Sequence, residues 1–223
     1  MQCSDIQTNL DGITRRIQAA CRTASRSTGE VTLIAVSKTV CAERISSAYQ
    51  SGLRNFGENR VQEAQSKWPQ LAYLQPQPIK HLIGHLQSNK VKTALELFDI
   101  IHSLDSLDLA EMINHRANRR IPVLLEVNVA GESSKGGFSL EALTAACISI
   151  AKLPNLDVRG LMTVAPQADD PQEVRPVFRQ LREIRDSLGL PELSMGMSND
   201  FEVAIEEGAT MIRLGRAIFG ERV

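Results

Sequence analysis

The sequence predicts an α/β fold: a single (β/α)8 TIM barrel with an extra N-terminal helix. Three observations carry that expectation. Eight short apolar runs of strand length recur along the 223 residues. A segment of helical periodicity separates most runs from the next. No G-x-G-x-x-G follows the first run, so the rival doubly wound open sheet lacks its phosphate fingerprint. Apolar strands alternating with helices call for a parallel sheet, and eight such units fit a closed barrel. A typical barrel takes about 250 residues, so this one is compact.

The elements follow in order. Ile6, Leu10, Ile13, Ile17 and Ala20 recur at helical spacing and predict a first helix from Asp5 to Ala24, placed as a lid on one end of the barrel. Val31 to Val36 is a β-branched, apolar run and the first strand. A helix from Ala42 to Ser51 closes at Gly52. Leu53 to Phe56 is the second strand, and Val61 to Leu74 reads as a helix. The third strand is Ile79 to Ile83, followed by a helix from Asn89 to Leu97. The fourth is Asp99 to Ser103, followed by a helix from Ser106 to Asn118. Val123 to Val129 is the fifth and most apolar, with a helix from Leu140 to Leu153 after it. Val158 to Thr163 is the sixth, followed by a long helix from Pro171 to Leu188. Leu193 to Met197 is the seventh. A helix from Asp200 to Glu207 ends at Gly208, and Met211 to Leu214 is the eighth strand.

Composition narrows the function. Lys and Arg number 25 against 26 Asp and Glu, a net charge of −1. That argues against nucleic-acid binding through a bulk basic field. No apolar run approaches the ~20 residues of a membrane helix. The N-terminus, MQCSDIQTNLDGITRRI, lacks the apolar centre of a secretory signal. Cys3, Cys21, Cys41 and Cys147 are scattered without CxxC spacing and read as reduced thiols, which points to the cytoplasm. The chain ends soon after the eighth strand, so residues 1–223 are read as one domain.

In a barrel the active site lies at the C-terminal ends of the strands. Lys38 follows the first strand. Desolvation there lowers an amine's pKa and favours Schiff-base chemistry; the alternative is a lysine that snorkels to water. Glu58 and Asn59 follow the second strand and either bind a ligand or cap the next helix. His85 follows the third and could stack on a ring or donate a hydrogen bond. His81 and His85 are four apart but not on a helix, so a metal site is not expected. His102 and His115 read as structural. After the fifth strand, the glycine-rich loop around Lys135 is either a site loop or plain surface. Met162 and Thr163 end the sixth strand and either line a pocket or pack its rim. The C-terminal segment is the most informative. Barrels often build a phosphate site from the loops after strands seven and eight. Ser198 and Asn199 are placed to open the helix near Asp200, and Gly215 allows close backbone approach after strand eight. The other reading is that these glycines only make turns. A lysine after strand one and a phosphate cradle after strands seven and eight suggest a phosphorylated carbonyl ligand, either pyridoxal 5'-phosphate or an aldolase-type sugar phosphate.

Five segments then resemble a known family. They are Val36-Ser-Lys-Thr39, Phe56-Gly-Glu-Asn59, His81-Leu-Ile-Gly-His-Leu-Gln-Ser-Asn-Lys90, Leu193-Ser-Met-Gly-Met-Ser-Asn-Asp200 and Arg213-Leu-Gly-Arg-Ala-Ile-Phe-Gly220. Together they resemble the pyridoxal phosphate homeostasis protein family, from about Lys38 to the C-terminus. A more distant relative is the N-terminal barrel of the fold-type III, alanine racemase-like enzymes. The resemblance implies pyridoxal 5'-phosphate held as an internal aldimine on Lys38, with Arg213 facing the pyridine nitrogen. It implies a phosphate cradle from Ser198 and the backbone of Asn199, Gly215 and Arg216. Asn59 and His85 match pocket positions, and Met197 and Met162 are implied near the ring. The function implied is vitamin B6 and amino-acid/keto-acid homeostasis without robust catalysis, with PLP-dependent acceptor enzymes as a partner class. The alternative is a fold-type III enzyme, an amino-acid racemase or decarboxylase. Those racemases use a tyrosine base, a C-terminal β domain and a partner subunit. Here Tyr49 and Tyr73 follow no strand, and no such domain is read in the chain. A monomer is therefore expected, with neither nucleic acid nor membrane as partner.

Overall fold

The structure, a computed structural model, describes residues 3–132 and 135–220, with side chains from residue 5 onward. Eight parallel strands close into one barrel in sequence order, β1 (Thr32–Val36), β2 (Asn55–Glu58), β3 (Ile79–Leu82), β4 (Ile100–Leu104), β5 (Ile121–Glu126), β6 (Leu156–Met162), β7 (Glu192–Ser194) and β8 (Met211–Leu214). Closure is made by β8 on β1, where Leu33 pairs with Ile212 and Ile34 with Arg213. Nine α-helices lie between or beside the strands among the described residues: α1 (Cys3–Thr23), α2 (Ala42–Gln50), α3 (Val61–Lys67), α4 (Val91–Leu97), α5 (Leu107–Arg116), α6 (Leu140–Ile150), α7 (Arg175–Ser187), α8 (Phe201–Glu206) and α9 (Arg216–Phe219).

The main apolar core lies between the strands and the helices. Ala35, Phe56, Leu82, Ile101, Leu125, Leu161, Leu193 and Leu214 are buried from the strands. Helix residues such as Ile45, Ala64, Ala94, Ile113, Leu143 and Phe178 pack in the same layer. The period of 3.6 puts one stripe of each helix inward. In α1 that stripe is Ile6, Leu10, Ile13, Ile17 and Ala20, as the sequence predicts. Its position differs from the expected lid. It packs beside α8, α9 and α2 in the outer layer, and Asn9 Nδ2 donates to the Ile218 carbonyl at 3.0 Å. The helix after β8 is only four residues long, so α1 covers the seam that a full-length helix there would cover.

Several element boundaries depart from the sequence pattern; β2 is Asn55–Glu58 rather than Leu53 to Phe56, and β7 is Glu192–Ser194 rather than Leu193 to Met197. The helix read over Val61 to Leu74 stops at Lys67 and tightens into a 3-10 turn, Trp68–Leu71, because Pro69 has no N–H to give an α-helical ladder. The helix read from Pro171 likewise begins as a 3-10 turn, Pro171–Val174, before α7. β5 ends at Glu126, and Val127 instead bridges to Phe138. Cys21, Cys41 and Cys147 are free thiols; the side chain of Cys3 lies outside the described residues. No helix among the described residues is long and apolar enough to cross a membrane.

Candidate functional site

A cavity of about 940 Å³ opens at the C-terminal end of the barrel, within the size of small-molecule and cofactor sites. Each strand end contributes what its next residues happen to be. Lys38 enters from the loop after β1 and Asn59 from the end of β2. Met197, Ser198 and Asn199 come from the loop after β7, and Arg213, Gly215 and Arg216 from β8 and the residues after it. Eight of the nine site residues expected from sequence therefore share one wall system. The ninth, His85, does not line the cavity. Its imidazole is 67% exposed, with Nδ1 2.8 Å from Asp105 Oδ2. Met162 is fully buried and also outside the wall. The loop segment with Ser133 and Ser134 lies outside the described residues.

The far wall was not foreseen. It is the long connection after β6, where Val164, Gln167, Asp169 and Glu173 face the cavity. Its signal was present in the sequence: seven residues separate the Thr163 strand end from the first helical turn at Pro171, a long βα loop in a compact barrel.

The polar side of the cavity is well ordered. The Met197 N–H donates to Asp200 Oδ1 at 2.6 Å, which turns the chain into α8. Ala217, in the first turn of α9, donates its N–H to Ser198 Oγ at 3.4 Å; the N–H groups of an opening turn have no intrahelical acceptor. Arg216 Nη2 donates to Asn199 Oδ1 at 3.4 Å. Asn59 Oδ1 is buried and has no partner within the protein. A buried carbonyl oxygen without a donor is costly, so it marks a position where a ligand donor or water completes the site. The primary amine of Lys38, a guanidinium, a hydroxyl and this carboxamide together fit a phosphorylated aromatic aldehyde such as pyridoxal 5'-phosphate.

Arg213 forms the floor. Nη1 donates to Ser194 Oγ at 2.7 Å and Nη2 to the Thr163 carbonyl at 2.8 Å. Burial pushes its pKa down to about 10, against the pull of Asp200 and Glu126, so it stays cationic at neutral pH. Below it runs a hydrogen-bonded chain through the barrel. His102 Nδ1 is 2.9 Å from Ser194 Oγ, His102 Nε2 is 2.9 Å from His81 Nδ1, and His81 Nε2 is 3.0 Å from Asn55 Oδ1. β4 and β7 are not neighbours, so the His102–Ser194 bond crosses the interior. The direction of the chain follows from chemistry. Asn55 Oδ1 only accepts, so His81 carries its hydrogen on Nε2 and accepts at Nδ1. His102 then donates from Nε2 and accepts at Nδ1 from the Ser194 hydroxyl, whose oxygen accepts from Arg213.

Both histidines are held neutral. Burial lowers His81 from the usual 6.5 to about 4. Burial, then His81 and Arg213, push His102 well below its ordinary value. The unfolded chain takes up these protons near 6.5, and the folded chain only at lower pH. Their contribution to stability is therefore complete above pH 6.5 and is lost as pH falls. For His81 the loss amounts to about 3 kcal/mol near pH 4. Urea unfolding across that window reads it; a flat profile would contradict neutral burial of the pair.

The comparisons with known proteins agree with this geometry. Residues 8–223 match the family described as alanine racemase, N-terminal domain. A pyridoxal phosphate homeostasis protein of Aquifex aeolicus is 48% identical over 222 residues, covering 96% of each chain. The chain belongs to the pyridoxal phosphate homeostasis protein family. Among solved structures of that likeness, PipY of Synechococcus elongatus with PLP bound superposes with a TM-score of 0.86 at 39% identity, covering 96% of this chain and 100% of that one. An alanine racemase of Corynebacterium glutamicum, at 19% identity, shares the fold with a TM-score of 0.68; the match covers 96% of this chain and 62% of the racemase. The homeostasis-family barrel and the racemase barrel are thus the same architecture.

Proposed function

We propose that this chain binds pyridoxal 5'-phosphate on Lys38 and buffers or hands on the cofactor in vitamin B6 and amino-acid/keto-acid homeostasis. The observation that carries the reading is the convergence of Lys38, Arg213, Ser198 and Arg216 on one cavity. The bound cofactor supplies an aldehyde that condenses reversibly with an amine, and an electron-drawing ring. Lys38 presents that amine from the end of β1. Ser198, with the backbone of Asn199, Gly215 and Arg216, is assigned to the phosphate, where the Arg216 guanidinium adds charge. Arg213 is assigned to the ring nitrogen. A fixed cation there disfavours protonation of the ring and weakens it as an electron sink. Asn59 offers its unpartnered carbonyl to a donor on the ligand. Met197 packs beside the ring, and His85 is not assigned to the ligand because its ring pairs with Asp105 outside the cavity wall.

The same geometry favours carriage over turnover. Both tyrosines are engaged elsewhere: Tyr49 Oη donates to the Pro76 carbonyl and Tyr73 Oη to Ser46 Oγ, each at 2.8 Å. Neither lines the cavity, so Lys38 has no tyrosine opposite it as a second base. The relatives named for PLP homeostasis and PipY with PLP bound support the cofactor. We extend the reading to a one-domain monomer in the cytoplasm, consistent with three free thiols, with PLP-dependent enzymes as recipients.

The test is borohydride reduction of purified protein mixed with pyridoxal 5'-phosphate, followed by peptide mass analysis and sedimentation of the same sample. A pyridoxyl adduct on Lys38 supports the reading; an adduct elsewhere, or none, defeats it. Arg213→Gln keeps a neutral donor and loses the cation. It is expected to weaken cofactor binding about tenfold and to change the absorbance spectrum. An unchanged spectrum and affinity would remove Arg213 from the ring contact.

A further inference from the structure

Lys67 is a buried lysine close to Lys38 in the fold, and the proposed function does not use it. It sits on α3 at 7% exposure and does not line the cavity. Its three ammonium donors are all engaged. Nζ donates to Glu58 Oε1 at 2.9 Å, to Glu63 Oε1 at 2.8 Å and to the Ser37 carbonyl at 2.7 Å. Lysine has no further donor to give. Ser37 Oγ donates to the same Glu58 oxygen at 2.8 Å. Glu63 Oε1 also accepts from the Thr39 N–H.

The two backbone partners are the informative ones. The Ser37 carbonyl belongs to the peptide plane just before Lys38, and the Thr39 N–H to the plane just after it. Those two planes define φ and ψ of Lys38. Thr39 itself has φ +64°, an uncommon conformation for a β-branched residue, one that surrounding contacts must hold. An ion pair whose only task was to fasten α3 to β2 would need the Lys67–Glu58 contact alone. It would have no need of the peptide groups on both sides of Lys38.

We infer that Lys67 and Glu63 are positioning residues for Lys38: together they fix the two peptide planes that aim its side chain at the cavity. Glu58 anchors Lys67 from β2, and α3 carries both positioning groups on one face, four residues apart. The inference rests on Lys38 as the point of cofactor attachment. It adds that the amine is held on a clamped backbone, so the aldehyde meets it without a search through loop conformations.

Glu63 gives the cleaner test, because its side chain is partly exposed whereas removing Lys67 leaves Glu58 buried without its cation. Three forms are compared: wild type, Glu63→Ala and Glu63→Gln. The rate of pyridoxyl labelling of Lys38 is read by borohydride quench and peptide mass. Affinity for inorganic phosphate and amide exchange at Thr39 are read on the same proteins without cofactor. Glu63→Ala is expected to slow labelling about tenfold, with phosphate affinity unchanged and the Thr39 amide exchanging faster. Glu63→Gln keeps an acceptor for Thr39 and recovers most of the rate. Wild-type labelling and exchange in Glu63→Ala would overturn the inference. So would parallel losses of labelling and phosphate affinity, which mean general loosening. A wild type that labels nowhere overturns the cofactor reading itself, and this inference with it.

Discussion

Lys38→Ala loses the pyridoxyl adduct completely while the cofactor-free barrel keeps its stability within about 0.5 kcal/mol. The two halves of this expectation have separate causes. Covalent capture of an aldehyde needs a primary amine within reach, and Lys67, the buried lysine nearby, has all three donors engaged away from the cavity. Stability survives because Lys38 is half-buried in a cavity wall rather than packed in the core. Ile34, Ala35 and Val36, which precede it, are the buried part of β1. Mass analysis after borohydride reads the first half, and urea unfolding of cofactor-free wild type and variant reads the second. Residual labelling at another cavity amine would mean that attachment is not specific to Lys38.

Gly160→Ala is expected to do the opposite, leaving every site residue in the chain and weakening the barrel that holds them. A Cβ at this position falls 2.0 Å from the Glu192 carbonyl oxygen and 2.6 Å from its carbon. Both are backbone atoms of the neighbouring strand, in register with Gly160, so no side chain can swing away. The glycine follows an irregularity: β6 pairs Val158 with Val123 and Gly160 with Leu124, which leaves Arg159 as an extra residue. Such a bulge brings backbone close to backbone. A closed barrel has no edge along which β7 could move aside. The cost is about 3 kcal/mol or more, and Ser194 on β7 moves with the strand, disturbing its bond to Arg213. Thermal unfolding measures it, with Gly12→Ala as the control. Gly12 lies on α1 with nothing within 4 Å of a new Cβ, so that change should be neutral or raise stability by up to about 1 kcal/mol. Equal melting of Gly160→Ala and wild type would show that β7 can shift without loss.

Much of this was legible before the structure because the barrel turns chain order into position. Lys38, Asn59, Met197, Ser198, Asn199, Arg213, Gly215 and Arg216 each follow or end an apolar run, and the barrel gathers such residues at one mouth. His85 also follows a strand, yet its ring swings out to Asp105; strand order gives the end of the barrel but not the side-chain direction. The buried roles were harder to read. Glu58 looked like a ligand contact or a helix cap, and it is instead the inner partner of Lys67, nine residues on. His81 and His102 could be read only as isolated histidines, since their pairing depends on the register of β3 and β4. The early end of α3 was readable in Pro69 and was outweighed by apolar periodicity on both sides of it.

The chain of hydrogen bonds from Arg213 to Asn55 gives the barrel floor a fixed polarity. Every donor in it points away from the mouth, because the last acceptor, Asn55 Oδ1, sits at the opposite end and fixes the orientation of each link above it. Arg213, a guanidinium with donors and no acceptor, meets the cavity only as a giver of hydrogens. On the assignment of Arg213 to the ring nitrogen proposed above, a bound pyridine would meet this donor with a bare lone pair. What the amide oxygen on β2 sets is the tautomer of both buried histidines, and with it the lone pair that holds the Ser194 hydroxyl beneath Arg213.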